Sequence, residues 1–222
     1  MSAGNTEERI QQASLRLFAT KGFASTGIRD IAAEAGVSLA SLYHYISNKE
    51  DLLVAIVEAG QRRLTAAAEL QLQQCPEPVS QLAGLVKLHV WVHGVRQQSA
   101  LVADTEVRSL TGARLEGMLS LRDGYQRLWR EVLHAGNDAG VMDLLDPKLT
   151  SFALLEMCTG ISHWYSPTGE LTLDHVGDVF ADAALGLVRA TSDGVPARAA
   201  SLDLPEPSQV YDAAVAVLGT AW

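Results

Sequence analysis

The sequence predicts an all-α protein, and three observations carry that reading. Apolar residues recur at helical spacing along almost the whole chain, no stretch alternates apolar and polar residues long enough to argue for a sheet, and segment ends carry helix caps and breakers. With 222 residues and 48% hydrophobic content the chain can bury sizeable cores, which argues against a disordered chain. No internal repeat is visible.

Each helix has its own signal. Ile10, Ala13, Leu17 and Phe18 share one face of a first helix over about 6–20, and Gly22 followed by Phe23 reads as its stop. Thr26-Gly27 opens a short second helix with Ile28, Ile31 and Ala32 inward, ended at Gly36 by a turn that needs positive φ. Ser38 caps a third helix through Tyr45. Ser47 with Glu50 reads as a capping box for a long fourth helix to about residue 73. Pro76 and Pro78 break the chain before a helix over about 79–97 that is apolar nearly all round, the mark of a helix in the middle of a bundle. A short piece over 100–110 and a long helix over 113–136 follow, divided by Gly112. Asp146-Pro147 starts the next helix, which ends near Pro167, and Thr172 caps another over 173–190. Residues 192–207 are small and polar and read as loose, with a marginal helix over 208–218.

Composition narrows the function classes. Charged residues interrupt every apolar run before the ~18 residues that a membrane span needs, and the N-terminus lacks the basic and apolar blocks of a signal peptide, so a cytoplasmic protein is expected. Cys75 and Cys158 are far apart and lack metal-ligand spacing, so neither a disulfide framework nor a zinc site is expected. The net charge of −9 is unusual for a protein that binds nucleic acid. Its distribution matters more: within residues 1–50, Arg9, Arg16, Lys21, Arg29 and Lys49 are cancelled by Glu7, Glu8, Asp30, Glu34 and Glu50. The acidic excess therefore falls wholly after residue 50, leaving a neutral N-terminal head as the only face that a duplex would accept.

Residues 27–46 meet the requirements of a helix-turn-helix: a turn at Ala35-Gly36-Val37, packing residues Ile31, Ala32, Val37, Leu42 and Ile46, and an outer face of small or hydrogen-bonding residues. Gly22-Phe23, Thr26-Gly27-Ile28-Arg29-Asp30-Ile31-Ala32, Ala35-Gly36-Val37-Ser38, Leu42-Tyr43-His44-Tyr45-Ile46, Lys49-Glu50 and Leu52 together resemble the signature of the TetR family. The match covers most of residues 10–53 and departs from the pattern at Gly27, Ile46 and Asn48. The resemblance implies a dimeric all-α regulator: an N-terminal three-helix helix-turn-helix DNA-binding domain (1–50), a C-terminal helical-bundle domain for ligand binding and dimerisation (51–191), and a C-terminal tail (192–222). It places Leu39, Ala40 and Ser41 at bases and Thr26, Ser38, Tyr43, His44, Tyr45 and Lys49 at phosphates of a palindromic double-stranded operator, with Arg29 reaching the backbone. From the residues alone, Tyr43, His44 and Lys49 favour that role because Leu42 and Ile46 already fill the inner positions, whereas Tyr45 and Arg29 suit a structural role equally well.

The body is less specific. An effector pocket would draw on aromatic and cationic side chains among Trp91, Arg108, Arg122, Tyr125, Trp129 and Trp164. Arg122 lies within the apolar stripe of Met118, Tyr125 and Trp129 and needs an anionic partner there, either Asp104, Glu106 or a ligand. His89 and His93 stand one turn apart but lack a third metal ligand at readable spacing, so no metal or other cofactor is expected. Residues 102–110, 121–125 and 163–172 resemble regulators of fatty-acid and steroid catabolism, which implies a small, largely apolar effector such as an acyl-CoA thioester. Helices over 147–164 and 173–190 are expected to form the homodimer interface as a four-helix bundle. No nucleotide loop, HExxH pair or GxSxG elbow names a reaction, so an enzyme is not expected. The alternative to a repressor released by its effector is a ligand-binding dimer that acts through a protein partner without sequence-specific DNA binding.

Overall fold

The computed structural model describes residues 3–218. Its helices are α1 (Ala3–Lys21), α2 (Ile28–Ala35), α3 (Leu39–Tyr43), α4 (Lys49–Gln74), α5 (Pro78–Val95), α6 (Gln97–Glu106), α7 (Gly112–Asp138), α8 (Pro147–Thr159), α9 (Ile161–Trp164), α10 (Leu173–Leu187) and α11 (Pro207–Leu218). Single 3-10 turns occur at Val107–Ser109 and Ala199–Ser201. Between α10 and α11, strands β1 (Thr191–Ser192) and β2 (Val195–Pro196) pair antiparallel in a minimal hairpin.

Local chemistry explains the boundaries. Gly22 enters the left-handed region at φ 82°, its N–H donates to the Phe18 carbonyl at 3.1 Å, and the Phe18 and Phe23 rings meet edge-on at 5.2 Å. Asp146 Oδ1 accepts from the N–H groups of Lys148 and Leu149 at 2.8 and 3.0 Å, with Pro147 in the first helical position. Thr172 Oγ1 accepts from the His175 N–H at 3.2 Å.

Three expectations are corrected. The capping box of α4 is Asn48 with Asp51, not Ser47 with Glu50: Asn48 N–H donates to Asp51 Oδ2 at 3.2 Å and Asp51 N–H donates to Asn48 Oδ1 at 3.0 Å. The helix expected to run unbroken from Pro147 tightens at Gly160, where the His163 N–H reaches back only three residues to the Gly160 carbonyl, and splits into α8 and α9. The segment after residue 191 is packed rather than loose. Ala197, Ala199, Tyr211 and Ala214 join a buried core, and Asp182 Oδ1 accepts from the Ala199 N–H at 2.8 Å. Residues 219–222 of that expected tail lie outside the described residues.

The chain forms two compact units, divided otherwise than by a cut at residue 50. The first holds the chain up to Gln61 and then Gln98–Leu121, and the second holds Arg62–Gln97 and the chain from Arg122 onward. Helices α4 and α7 each run unbroken through a boundary. In the first unit Ile10, Phe18, Ile31, Leu42 and Leu53 share a core with Val102, Val107, Leu110 and Met118. Those four later residues cover apolar surface that residues 1–50 cannot bury alone, which is why the unit is discontinuous. In the second unit α5 is buried on nearly every side, packed by α8, α9, α10 and α11.

Candidate nucleic-acid interface

The helix-turn-helix is made by α2, the turn at Gly36 and α3. Gly36 adopts φ 63°, ψ 38°, which costs glycine no Cβ clash, and Val37 N–H donates to the Ala32 carbonyl at 3.0 Å. Ser38 Oγ then caps α3 by accepting from the Ser41 N–H at 3.0 Å. Leu42 is the one buried residue of this five-residue helix, at 0% exposure, with Ile46 half-buried after it. That anchor turns the remaining positions outward. Ser38, Leu39, Ala40, His44 and Tyr45 are exposed, Tyr43 reaches 54% exposure, and Ser41 is half-buried.

Two residues expected at phosphates are instead engaged inside the head. Thr26 is 2% exposed, and its hydroxyl donates to the Gly22 carbonyl at 2.8 Å. Lys49 is half-buried, and its Nζ donates to the carbonyls of Phe23 and Thr26 at 2.6 and 2.9 Å while lying 4.1 Å from the Phe23 ring centroid. The physical reason is the loop after α1: its carbonyls have no helical donors, and these two side chains supply them.

Sequence reasoning passed over Arg9. From α1 its Nη2 donates to the Ala35 and Gly36 carbonyls at the end of α2, partners 26 and 27 residues away that no local pattern signals. One face further along, Arg16 Nε pairs with Glu34 Oε1 at 3.1 Å. Arg29 and Lys21 are exposed. Near the start of α4, Asp51 Oδ1 accepts from Arg114 at 2.6 Å; this hydrogen bond first, and then the Arg114 charge and nearby backbone N–H groups, hold its carboxyl below the usual range against the effect of burial.

The second unit contains a polar group within its apolar interior. His89 Nδ1 lies 2.9 Å from the Tyr125 hydroxyl, and His89 Nε2 lies 3.1 Å from Thr159 Oγ1. His93 stacks on His89 with centroids 3.8 Å apart, its Nδ1 placed to donate to the His89 carbonyl at 2.9 Å. Burial, and then the neighbouring His93, drives the His89 pKa well below its ordinary value, and burial pushes the Tyr125 phenol far up. Both groups are therefore neutral near pH 7. A neutral imidazole donates through one nitrogen only, so one hydroxyl accepts from His89 and the other donates to it. Trp129, 0% exposed, lies close enough to ease the Tyr125 shift, yet its Nε1–H meets no hydrogen-bond acceptor among the described residues.

The expected effector residues thus separate. Tyr125 and Trp129 meet at this polar interior. Trp91 is half-buried against Tyr211, ring centroids 5.7 Å apart, while Trp164 is exposed beside Tyr165 and Phe180. Arg122 is half-buried on α7 in the second unit, whereas Arg108 is exposed in the Val107–Ser109 turn of the first.

Residues 10–56 match the family model for bacterial regulatory proteins of the tetR family, and residues 76–188 match that for the tetracyclin repressor-like C-terminal domain. The chain belongs to the TetR family of regulators. It is similar to the HTH-type transcriptional repressor KstR2 of Mycolicibacterium smegmatis, 27% identical over 187 residues that cover 83% of this chain and 90% of the relative. It is also similar to the solved structure of AibR in complex with isovaleryl coenzyme A and operator DNA, with 25% identity, a TM-score of 0.74 and coverage of 80% of this chain and 97% of that one. A TetR-family regulator from Rhodococcus RHA1 shares the fold, with a TM-score of 0.80 at 24% identity over 86% of this chain and 100% of that one. No helix among the described residues is long and apolar enough to cross a membrane.

Proposed function

We propose that this protein is a dimeric repressor that binds a palindromic operator through α3 and is released by a small, largely apolar effector. The observation that carries the reading is the outer face of α3. Ser38, Leu39, Ala40, Tyr43, His44 and Tyr45 are exposed around the single buried anchor Leu42, so small and hydrogen-bonding groups face outward from a helix-turn-helix. Leu39, Ala40 and Ser41 are the proposed base-reading residues, and Ser38, Tyr43, His44, Tyr45 and Arg29 the proposed phosphate partners.

Dimerisation is assigned to α8 and α10. Leu149 and Phe152 of α8 and Val179 and Leu187 of α10 are exposed large apolar side chains, with Ala183 and Gly186 exposed beside the latter pair. A second copy offering the same face would bury them as a four-helix bundle. The repressor reading takes support from the similarity to KstR2, a transcriptional repressor, and the effector reading from AibR, whose structure holds isovaleryl coenzyme A. An acyl-CoA thioester held in the second unit would find Tyr125 and the Trp129 N–H as polar groups within an otherwise apolar interior. Helix α4 runs as one piece from the first unit into the second, so an effector that favours one arrangement of the body shifts the heads from the spacing of about 34–36 Å that successive major grooves require.

Fluorescence polarisation on duplexes tiling the DNA around the protein's own gene, with and without a panel of CoA thioesters, tests both parts. Saturable binding to a palindromic duplex, reversed by one thioester, is the expected result. Binding that no thioester reverses, with no thioester raising Tm, overturns the effector assignment. Failure to bind any duplex more tightly than a scrambled one overturns the operator reading and favours a dimer acting through a protein partner.

A further inference from the structure

We propose that Arg9 is the positioning residue of the helix-turn-helix, clamping the Ala35–Gly36 turn to α1 and so setting the direction in which α3 is presented. The inference rests on the reading of α3 as the DNA-contacting helix. Leu42 is the one fully buried side chain of this five-residue helix, with Val37 and Ile46 packed at its two ends, so the turn that carries Val37 into it helps set its direction. The turn's own bonds, Gly36 N–H to the Ala33 carbonyl and Val37 N–H to the Ala32 carbonyl, tie it only to α2.

Arg9 supplies the tie to α1. The last carbonyls of a helix lack N–H partners and carry the negative end of its dipole, which a guanidinium satisfies with both charge and donors. Arg9 Nη2 donates to the two carbonyls that flank the left-handed turn, those of Ala35 and Gly36, the latter at 3.0 Å. Its neighbour Ile10 and then Ala13 are buried in the core of the first unit, so the arginine projects from a fixed helix. Glycine at position 36 serves this contact as well as the backbone: a Cβ there would stand 2.7 Å from Arg9 Nη2 and displace it.

The surroundings argue against Arg9 as mere packing. It lines an open polar cleft of about 210 Å³ with Gln12, Arg16, Glu34, Ala35 and Gly36, so its removal leaves the apolar core of the head intact. The Arg16–Glu34 pair on the same side is exposed and a weaker tie.

The test uses the full-length protein and a duplex that the wild type selects from a randomised pool, with a scrambled duplex as control. Arg9→Gln is expected to weaken binding to the selected duplex about tenfold, the loss typical of a charge-assisted hydrogen bond. Binding to the scrambled duplex and the slope of log affinity against log salt are expected to stay as in the wild type. Arg9→Lys, which keeps the charge but not the fork, recovers part of the loss. Equal losses on both duplexes with a shallower salt slope would make Arg9 a phosphate contact and overturn the inference. Undiminished binding, or loss of the folded head in both variants, overturns it as well. A wild-type protein that selects no duplex overturns the underlying DNA reading; a wild type that binds no better than Arg9→Gln overturns the Arg9 assignment alone.

Discussion

Lys49 Nζ lies 4.1 Å from the centroid of the Phe23 ring and donates to the Phe23 carbonyl at 2.6 Å. The start of α4 is thereby joined to the loop that ends α1. Lys49→Met keeps the aliphatic stem but removes the donor from the Phe23 and Thr26 carbonyls. The Phe23 carbonyl keeps its bond from the Thr26 N–H at 3.2 Å, so the substitution is expected to destabilise the protein by about 1–2 kcal/mol through loss of the charged donor. Urea unfolding of the wild type and the variant checks it.

The same geometry bears on salt dependence. Arg9 and Lys49 are held by carbonyls within the head and the exposed Arg16 is neutralised by Glu34, while Lys21 and Arg29 are exposed on its surface. Two such cations on each of two heads neutralise about four phosphates, for a slope of log affinity against log salt of about −4. Titrations between low and moderate salt measure it, and a slope near −10 contradicts the uncharged character of the interface.

His89 makes stability depend on pH in a defined direction. Burial holds its folded-state pKa well below the unfolded value of about 6.5, so the unfolded chain takes up a proton first as pH falls. Its contribution is complete above about pH 6.5 and is lost progressively below it. Thermal unfolding from pH 8 to pH 5 is expected to show a flat Tm followed by a decline, and His89→Gln, which keeps a donor and an acceptor, is expected to flatten the decline.

Val179 stands exposed on α10 beside Ala183 and close in sequence to Gly186 and Leu187. Val179→Asp would place a carboxylate within the proposed bundle of two copies, where burial without a partner costs several kcal/mol. Sedimentation velocity is expected to show a monomer, with operator affinity reduced at least a hundredfold through the loss of paired heads. A dimer of unchanged affinity would place the interface elsewhere.

Much of the fold was legible because it is written locally. Gly22, Gly36, Asp146-Pro147 and Thr172 act on backbone within a few residues, and each acts where expected. The α4 cap was misread by one residue because Ser47/Glu50 and Asn48/Asp51 carry the same spacing, and only the geometry separates them. The packed C-terminal segment was misread because small residues such as Ala197, Ala199 and Ala214 look like linker in sequence, yet fit against other helices. At the site, the exposed face of α3 follows from one apolar anchor. The inward turn of Lys49, the clamp of Arg9 and the His89 contacts to Tyr125 and Thr159 join residues 23 to 70 positions apart, beyond any periodic pattern.

The most direct test of α3 as the DNA-reading helix is the affinity of Ala40→Asp for a duplex selected by the wild type. Ala40 is exposed in the first turn of α3, where an acidic residue favours the helix dipole, so the head stays folded while a negative charge enters the proposed base-reading face. Binding is expected to fall at least a hundredfold at unchanged Tm. Undiminished binding by Ala40→Asp would contradict the assignment of this face to DNA.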